Sequence, residues 1–286
     1  MKLEGKIALV TGASQGLGKA IAARYLAEGA KVAICARDPI ILESARQDLE
    51  GDAFPGSVLA VSTDVAEEKS VADLVRRTVS KFGGLDILVN NAGVYGPMGP
   101  TETVDLGAWI QAIQINLIGV LLPCRAAIPE MRARGGGKII NLSGGGATQP
   151  MPRISAYAAS KAAVVRLTET LALELAADRI DVNAIAPGAL NTRLLDQVIE
   201  AGPDLVGEAF FDKSLAQKES GGTPLDKGTG LCVYLGSSDS DGITGKLISA
   251  QWDPWPNLQA HAETLRTGDI YTLRRIVPED RGEHWE

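Results

Sequence analysis

Short apolar runs recur along the chain at residues 7–10, 32–35, 58–61, 87–89, 139–142, 182–186 and 247–249, most of them rich in valine and isoleucine. They are continuous rather than alternating, which predicts strands covered on both faces. Between them, at residues 18–28, 40–49, 69–82, 106–134, 155–177 and 229–235, apolar positions return every three or four residues. That period predicts helices. Strand and helix in alternation predict an α/β protein, a doubly wound seven-stranded parallel sheet with helices on both faces.

Two stretches break the rhythm. Residues 190–223 have mixed polarity and several glycines, and follow a strand ending in "APG". Ligands of doubly wound sheets bind beyond the carboxyl ends of the strands, so this insertion is expected to be a substrate lid. Residues 252–286 hold three of the four tryptophans and both histidines. Proline-flanked aromatics and an arginine pair predict a segment that docks on the body of the protein or on a neighbouring subunit. Two readings of its role stand side by side. It seals an interface with its arginines solvated, or it brings aromatic walls to the substrate mouth, with Arg274 and Arg275 facing an anionic substrate.

Composition narrows the classes. The 286 residues allow one large domain or two small ones, and the pattern favours a single nucleotide-binding domain over residues 1–251, lid included. A net charge of −7 argues against nucleic acid as a partner. The cysteines Cys35, Cys124 and Cys232 are scattered and odd in number, so free thiols in a reducing compartment are expected. His261 and His284 are the only histidines, and no metal-ligand spacing occurs, so no metal site is expected. No 18-residue apolar run is present. The expectation is a cytoplasmic protein that binds no membrane.

Candidate chemistry begins at "VTGASQGLG". Gly12, Gly16 and Gly18 suit a tight turn that lets backbone approach a pyrophosphate, with a helix N-terminus facing the phosphates. The second strand ends in Ala36 and Arg37. Without a carboxylate there, a 2′-phosphate is not repelled, and Arg37 can pair with it. NADP(H) is therefore expected over NAD(H), although the adjacent Asp38 keeps NAD(H) open. Further on, Tyr157 and Lys161 lie four residues apart, on one face of a helix. A phenol with a pKa of about 10 is a poor acid–base group near neutral pH. A lysine one turn away stabilises the phenolate and is expected to lower that pKa.

The set "TGASQGLG", "DV" at 64–65, "NNAG" at 90–93, "YAASK" at 157–161 and "PG" at 187–188 resembles the short-chain dehydrogenase/reductase family in order and spacing over roughly residues 3–250. The first part looks most like 3-oxoacyl-carrier-protein reductases and related sugar or alcohol dehydrogenases. The resemblance implies a Rossmann-type fold and a hydride transfer between NADP(H) or NAD(H) and a carbonyl or secondary alcohol. It places Ser14, Gln15 and Leu17 along the phosphate turn, with Asp64 and Val65 at the adenine. Asn91, Ala92 and Gly93 would stand against the adenosine ribose, and Pro187, Gly188, Leu190 and Thr192 around the nicotinamide. It makes Tyr157 the acid/base, Lys161 its tuner and ribose clamp, and Asn116 the anchor of a water relay to the lysine. The bland alternative for Asn116 is a core amide satisfied by backbone.

Ser143 departs from the family pattern. The family serine lies 13 residues before the tyrosine, where this chain has Gly144. Either the strand end twists so that Ser143 reaches the substrate oxygen, or the serine is absent and backbone N–H groups of residues 144–146, or a water, take its place. The second case admits a competing class, a non-catalytic nucleotide-binding protein on the same fold. Residues 106–134 and 155–177 are apolar beyond one stripe, and the family pairs such helices between subunits. A homo-oligomer, dimer or tetramer and more readily a tetramer, is the expected assembly.

Overall fold

The seven apolar runs become seven parallel strands, in order β3-β2-β1-β4-β5-β6-β7. They are β1 (Ile7–Thr11), β2 (Lys31–Ala36), β3 (Val58–Ser62), β4 (Ile87–Asn90), β5 (Gly137–Leu142), β6 (Ile180–Ala186) and β7 (Leu247–Ser249). The computed structural model describes residues 1–51 and 53–285. Ten α-helices are described: α1 (Gly16–Ala27), α2 (Pro39–Gly51), α3 (Glu68–Phe82), α4 (Leu106–Ile113), α5 (Gly119–Ala133), α6 (Ser155–Glu174), α7 (Arg193–Val206), α8 (Glu208–Ser220), α9 (Leu225–Gly236) and α10 (Ala262–Thr267). The chain is thus a doubly wound Rossmann-type sheet. Strand order reverses between β1 and β4, which pair Leu9 with Leu88. Their carboxyl ends open the crevice where this architecture binds ligands.

Successive strand side chains point to opposite faces, so each run feeds two cores. Ala8, Val10, Val32, Ile34, Ile87 and Val89 pack with Ile21, Tyr25 and Leu231 of α1 and α9. Leu9, Ala33, Cys35, Leu88 and Ile139 pack with Leu74, Cys124, Val164 and Leu171 of α3, α5 and α6. Continuous apolar runs are what a sheet covered on both faces requires.

Two features differ from the expected pattern. The helix expected over residues 106–134 is interrupted by a π turn at Gln114–Ile118. The fully buried Asn116 sits in it. Its carboxamide accepts from the Val94 N–H (2.9 Å) and donates to the Val94 carbonyl (2.8 Å) and to Ser160 Oγ (3.0 Å). Widened turns of this kind often mark functional sites. Second, residues 190–223 are helical, as α7 and α8, with non-helical backbone at Gly202 (φ +76°).

The last segment folds onto its own chain. Leu258 and Leu265 are buried in the core shared with α9. Trp255 rests on Tyr234, ring centroids 5.8 Å apart. Tyr271 accepts from the Leu247 N–H of β7 (2.8 Å). The Leu273 N–H donates to Glu169 (2.6 Å), and its carbonyl accepts from Arg166, both on α6. Arg274 is paired with Asp269 and Asp280, each at 2.6 Å. The reading of Arg274 as an anion receptor is thereby corrected, since two carboxylates already neutralise it.

Candidate active site

The crevice is built from the ends of β1 and β4. Gly12 and Gly16 have φ of +63° and +56°, a left-handed region that L-residues avoid. A Cβ on Gly12 would lie 2.8 Å from Ala92 Cα, and one on Gly18 would overlap the Asn91 carboxamide. Asn91 Nδ2 donates to the carbonyls of Thr11 (2.9 Å) and Gly12 (3.0 Å). The N–H groups of Asn91 and Ala92 donate to Thr11 Oγ1. The phosphate-turn glycines and the "NNAG" segment are therefore one stitched unit. Gln15 caps α1 without a side-chain hydrogen bond, so the helix presents unmet N–H groups at the crevice.

A cleft of about 930 Å³ runs over this unit. It is lined by Gly12, Ser14, Gln15, Gly16, Leu17, Gly18, Arg37, Asp64, Val65, Asn91, Ala92, Gly93, Ser143, Tyr157, Lys161, Pro187, Leu190 and Thr192. Sequence reasoning had singled out all of these. Two candidates lie elsewhere. Gly188 (φ +98°) packs on Thr223, where a Cβ would come within 2.7 Å of the hydroxyl; it shapes the turn into α7 rather than the cleft wall. Asn116 is behind the wall, and the polar groups of its side chain are met by Val94 and Ser160. Gly93 separates it from Lys161: a Cβ there would lie 3.3 Å from Asn116 Oδ1 and 3.6 Å from Lys161 Nζ.

Tyr157 and Lys161 stand on the first two turns of α6 and open on the cleft. Lys161 Nζ is 5.6 Å from the centroid of the Tyr157 ring and donates to the Leu142 carbonyl at 2.7 Å. Burial pulls the Lys161 pKa down to about 8. Burial, with a smaller contribution from Tyr95, pushes the Tyr157 phenol well above its ordinary value. This corrects the expected lowering. The ammonium is held against a carbonyl, and desolvation of the phenolate dominates.

For Ser143 two readings stood open, and the geometry accords with the one in which the usual serine is absent. Its hydroxyl donates to the Lys161 carbonyl at 3.3 Å. Gly144 is the residue that faces the phenol: a Cβ there would lie 2.7 Å from Tyr157 Oη. The register argument explains this, because neighbouring strand positions face opposite ways. Ser143 ties β5 to α6, and no side-chain hydroxyl at 144 meets the tyrosine.

Sequence reasoning missed several lining residues. Behind the lining, Tyr95 packs edge-on against Tyr157, centroids 4.7 Å apart. Its signal was an aromatic two residues after "NNAG". Arg193, Leu194 and Asp196 reach the cleft from α7. The spacing of Leu194, Leu195, Val198 and Ile199 is helical, but Gly202, Pro203 and Gly207 masked it.

Beyond the end of β2, Arg37 is exposed and lines the cleft. Asp38 caps α2, one carboxylate oxygen accepting from the N–H groups of Ile40 (2.9 Å) and Ile41 (3.1 Å). Asp64 accepts from the Ala66 N–H (2.9 Å).

Comparison with known proteins agrees with this geometry. Residues 6–202 match the family model described as short chain dehydrogenase. An uncharacterized oxidoreductase of Thermotoga maritima is 38% identical over 245 residues, 85% of this chain and 93% of that protein. An NAD⁺-bound xylitol dehydrogenase superposes with a TM-score of 0.79 at 30% identity, over 87% of this chain and 98% of that one. A gluconate 5-dehydrogenase of Burkholderia cenocepacia, in complex with NADP and tartrate, gives 0.77 at 29% identity, over 91% and 97%.

Proposed function

The chain belongs to the short-chain dehydrogenase/reductase family, whose members are oxidoreductases of alcohols and carbonyls, and from that premise we propose that Tyr157 and Lys161 carry the proton chemistry of an NADP(H)-preferring carbonyl reductase or alcohol dehydrogenase. One observation carries the reading: the phenol and the ammonium open on the same cleft as the glycine turn. When bound there, the nicotinamide supplies or accepts the hydride. The cradle fits such a group, since Gly12 and Gly18 leave no room for side chains between the turn and Asn91, and α1 offers N–H groups to phosphates.

Tyr157 donates its proton to the substrate oxygen in reduction and takes it back in oxidation. Burial raises the pKa of this phenol. Lys161 stabilises the phenolate left behind and clamps the nicotinamide ribose. Asn116 holds the π turn behind the lysine and anchors the relay. Ser143 is left out of the proton path because its hydroxyl is spent on Lys161. A missing oxyanion donor costs about 100–1000-fold in rate, so turnover is expected to be slow. Arg37 favours the 2′-phosphate of NADP(H), and the capping role of Asp38 leaves that carboxylate oriented toward α2. Helices α7 and α8 act as the substrate lid.

The exposed apolar side chains Leu106, Ile110 and Leu173 on α4 and α6 support pairing with a second copy. A monomer in sedimentation at micromolar concentration would remove that part. Three buried free cysteines suit a reducing compartment, the cytoplasm.

The competing reading, a non-catalytic nucleotide-binding protein, draws on Gly144 facing the phenol. Titration with NADPH and turnover on a panel of ketones and aldehydes separates the two. The proposal requires NADPH oxidation by at least one carbonyl, a loss of at least about 1000-fold in kcat for Tyr157→Phe, and retained NADPH binding. Binding without oxidation by any carbonyl supports the competing class.

A further inference from the structure

Arg153 combines three features that the catalytic reading leaves unused. It lies in the loop between β5 and α6, two residues before the catalytic helix begins. Its φ is +68°, in the left-handed region, where a non-glycine residue is held only if its surroundings enforce it. Its two polar ends reach two different segments of the chain. The backbone carbonyl accepts from the Gly99 N–H at 2.8 Å, in the segment between β4 and α4. The guanidinium donates to the carbonyls of Asp204 (2.6 Å) and Leu205 (3.4 Å), at the end of α7.

The end of α7 is where a cation binds best. Backbone is non-helical at Gly202, so residues 203–206 form a single separate turn, and its last carbonyls lack intrahelical partners and accept from a cation. Here they also mark a hinge. Gly202 and Gly207 flank this last turn with φ of +76° and +84°, and α8 starts at once after Gly207. The arginine stem runs along Gly207, where a Cβ would sit 3.5 Å from Arg153 Cδ.

We infer that Arg153 is a positioning residue, a latch that fastens the hinge between α7 and α8 to the body and so sets how firmly the lid closes over the substrate. The left-handed turn is what lets one residue reach both Gly99 and α7. This inference rests on the reading of α7 and α8 as the substrate lid.

The experiment compares wild type with Arg153→Ala, Arg153→Gly and Arg153→Lys. Amide hydrogen exchange is followed over residues 193–220, and steady-state kinetics are measured with NADPH and the best carbonyl of the panel. Glycine accepts the left-handed backbone, so Arg153→Gly isolates the guanidinium even if Arg153→Ala folds poorly. Exchange over residues 193–220 is expected to quicken about tenfold in both variants, with substrate KM up about tenfold and kcat within about threefold, consistent with a lost charge-assisted hydrogen bond. Arg153→Lys should recover part of each. Unchanged exchange in both variants overturns the latch. Faster exchange with unchanged KM overturns its link to substrate. The exchange readout needs no turnover, so an inactive wild type would count against the Tyr157–Lys161 reading while the latch is still judged by exchange.

Discussion

Lys161 illustrates how a single residue trades stability for chemistry. Its ammonium is buried, with a pKa lowered from 10.5 to about 8. Below about pH 8 both folded and unfolded chains carry the charge, and burial counts against the folded one. Between about 8 and 10.5 the folded chain sheds the proton while the unfolded chain keeps it. This contribution to stability therefore rises with pH through that window. Lys161→Met should abolish turnover yet raise stability at pH 7 by about 1–3 kcal/mol, the gain shrinking toward pH 10. Urea melts at both pH values check this. Arg37 makes a different kind of claim. Arg37→Ala should raise the NADPH Kd about 10–100-fold and the NADH Kd less than about threefold, read by fluorescence titration. Tyr157, Lys161 and Arg37 were legible because their chemistry depends on residue type and local spacing. The orientation of Ser143 was not, because a hydroxyl at a strand end can turn either to α6 or to the cleft. Only the packed helix chose between them.

At the level of elements, the strands and the six main helices were legible from period alone, because burial on one or two faces writes itself into the hydrophobic pattern. The π turn was not. It depends on the Asn116 carboxamide meeting Val94 from another loop, a contact that no local pattern encodes. Gly119 supports it, since a Cβ there would lie 2.7 Å from Val65 Cγ2. Helices α7 and α8 were hidden by glycines and a proline whose real effect is to bend and join them. The junction of β1 with α1 yields a firm prediction. Gly18→Ala would force a methyl into Asn91 and the Gly12 carbonyl. It should cost about 1–3 kcal/mol of stability and weaken NADPH binding at least about tenfold. Thermal melts and cofactor titration read the two effects separately.

Across the whole molecule, the sheet gathers residues far apart in sequence, from Gly12 to Asp196, around one cleft, and the final segment straps the edge beyond β7. Truncation after Ala250 removes the buried Leu258 and Leu265. Each is worth about 1.5–3 kcal/mol, so a loss of at least about 3 kcal/mol is expected in denaturant melts. The truncation also frees the Leu247 N–H and bares a sheet edge, a template for unwanted pairing. Concentration-dependent association in light scattering should follow. The sequence by itself determined the layered α/β fold, the order of its elements and the cleft residues that lie within motifs, though not those that α7 and the strand ends bring in, because hydrophobic period and motif spacing are local properties of the chain. Tertiary structure alone decided that Ser143 turns to Lys161, that Gly144 faces the phenol, that burial raises the Tyr157 phenol, and that Arg274 is paired within its own tail. Each of these depends on which groups from distant segments meet in a desolvated interior, where one neighbour more or less changes the sign of the interaction.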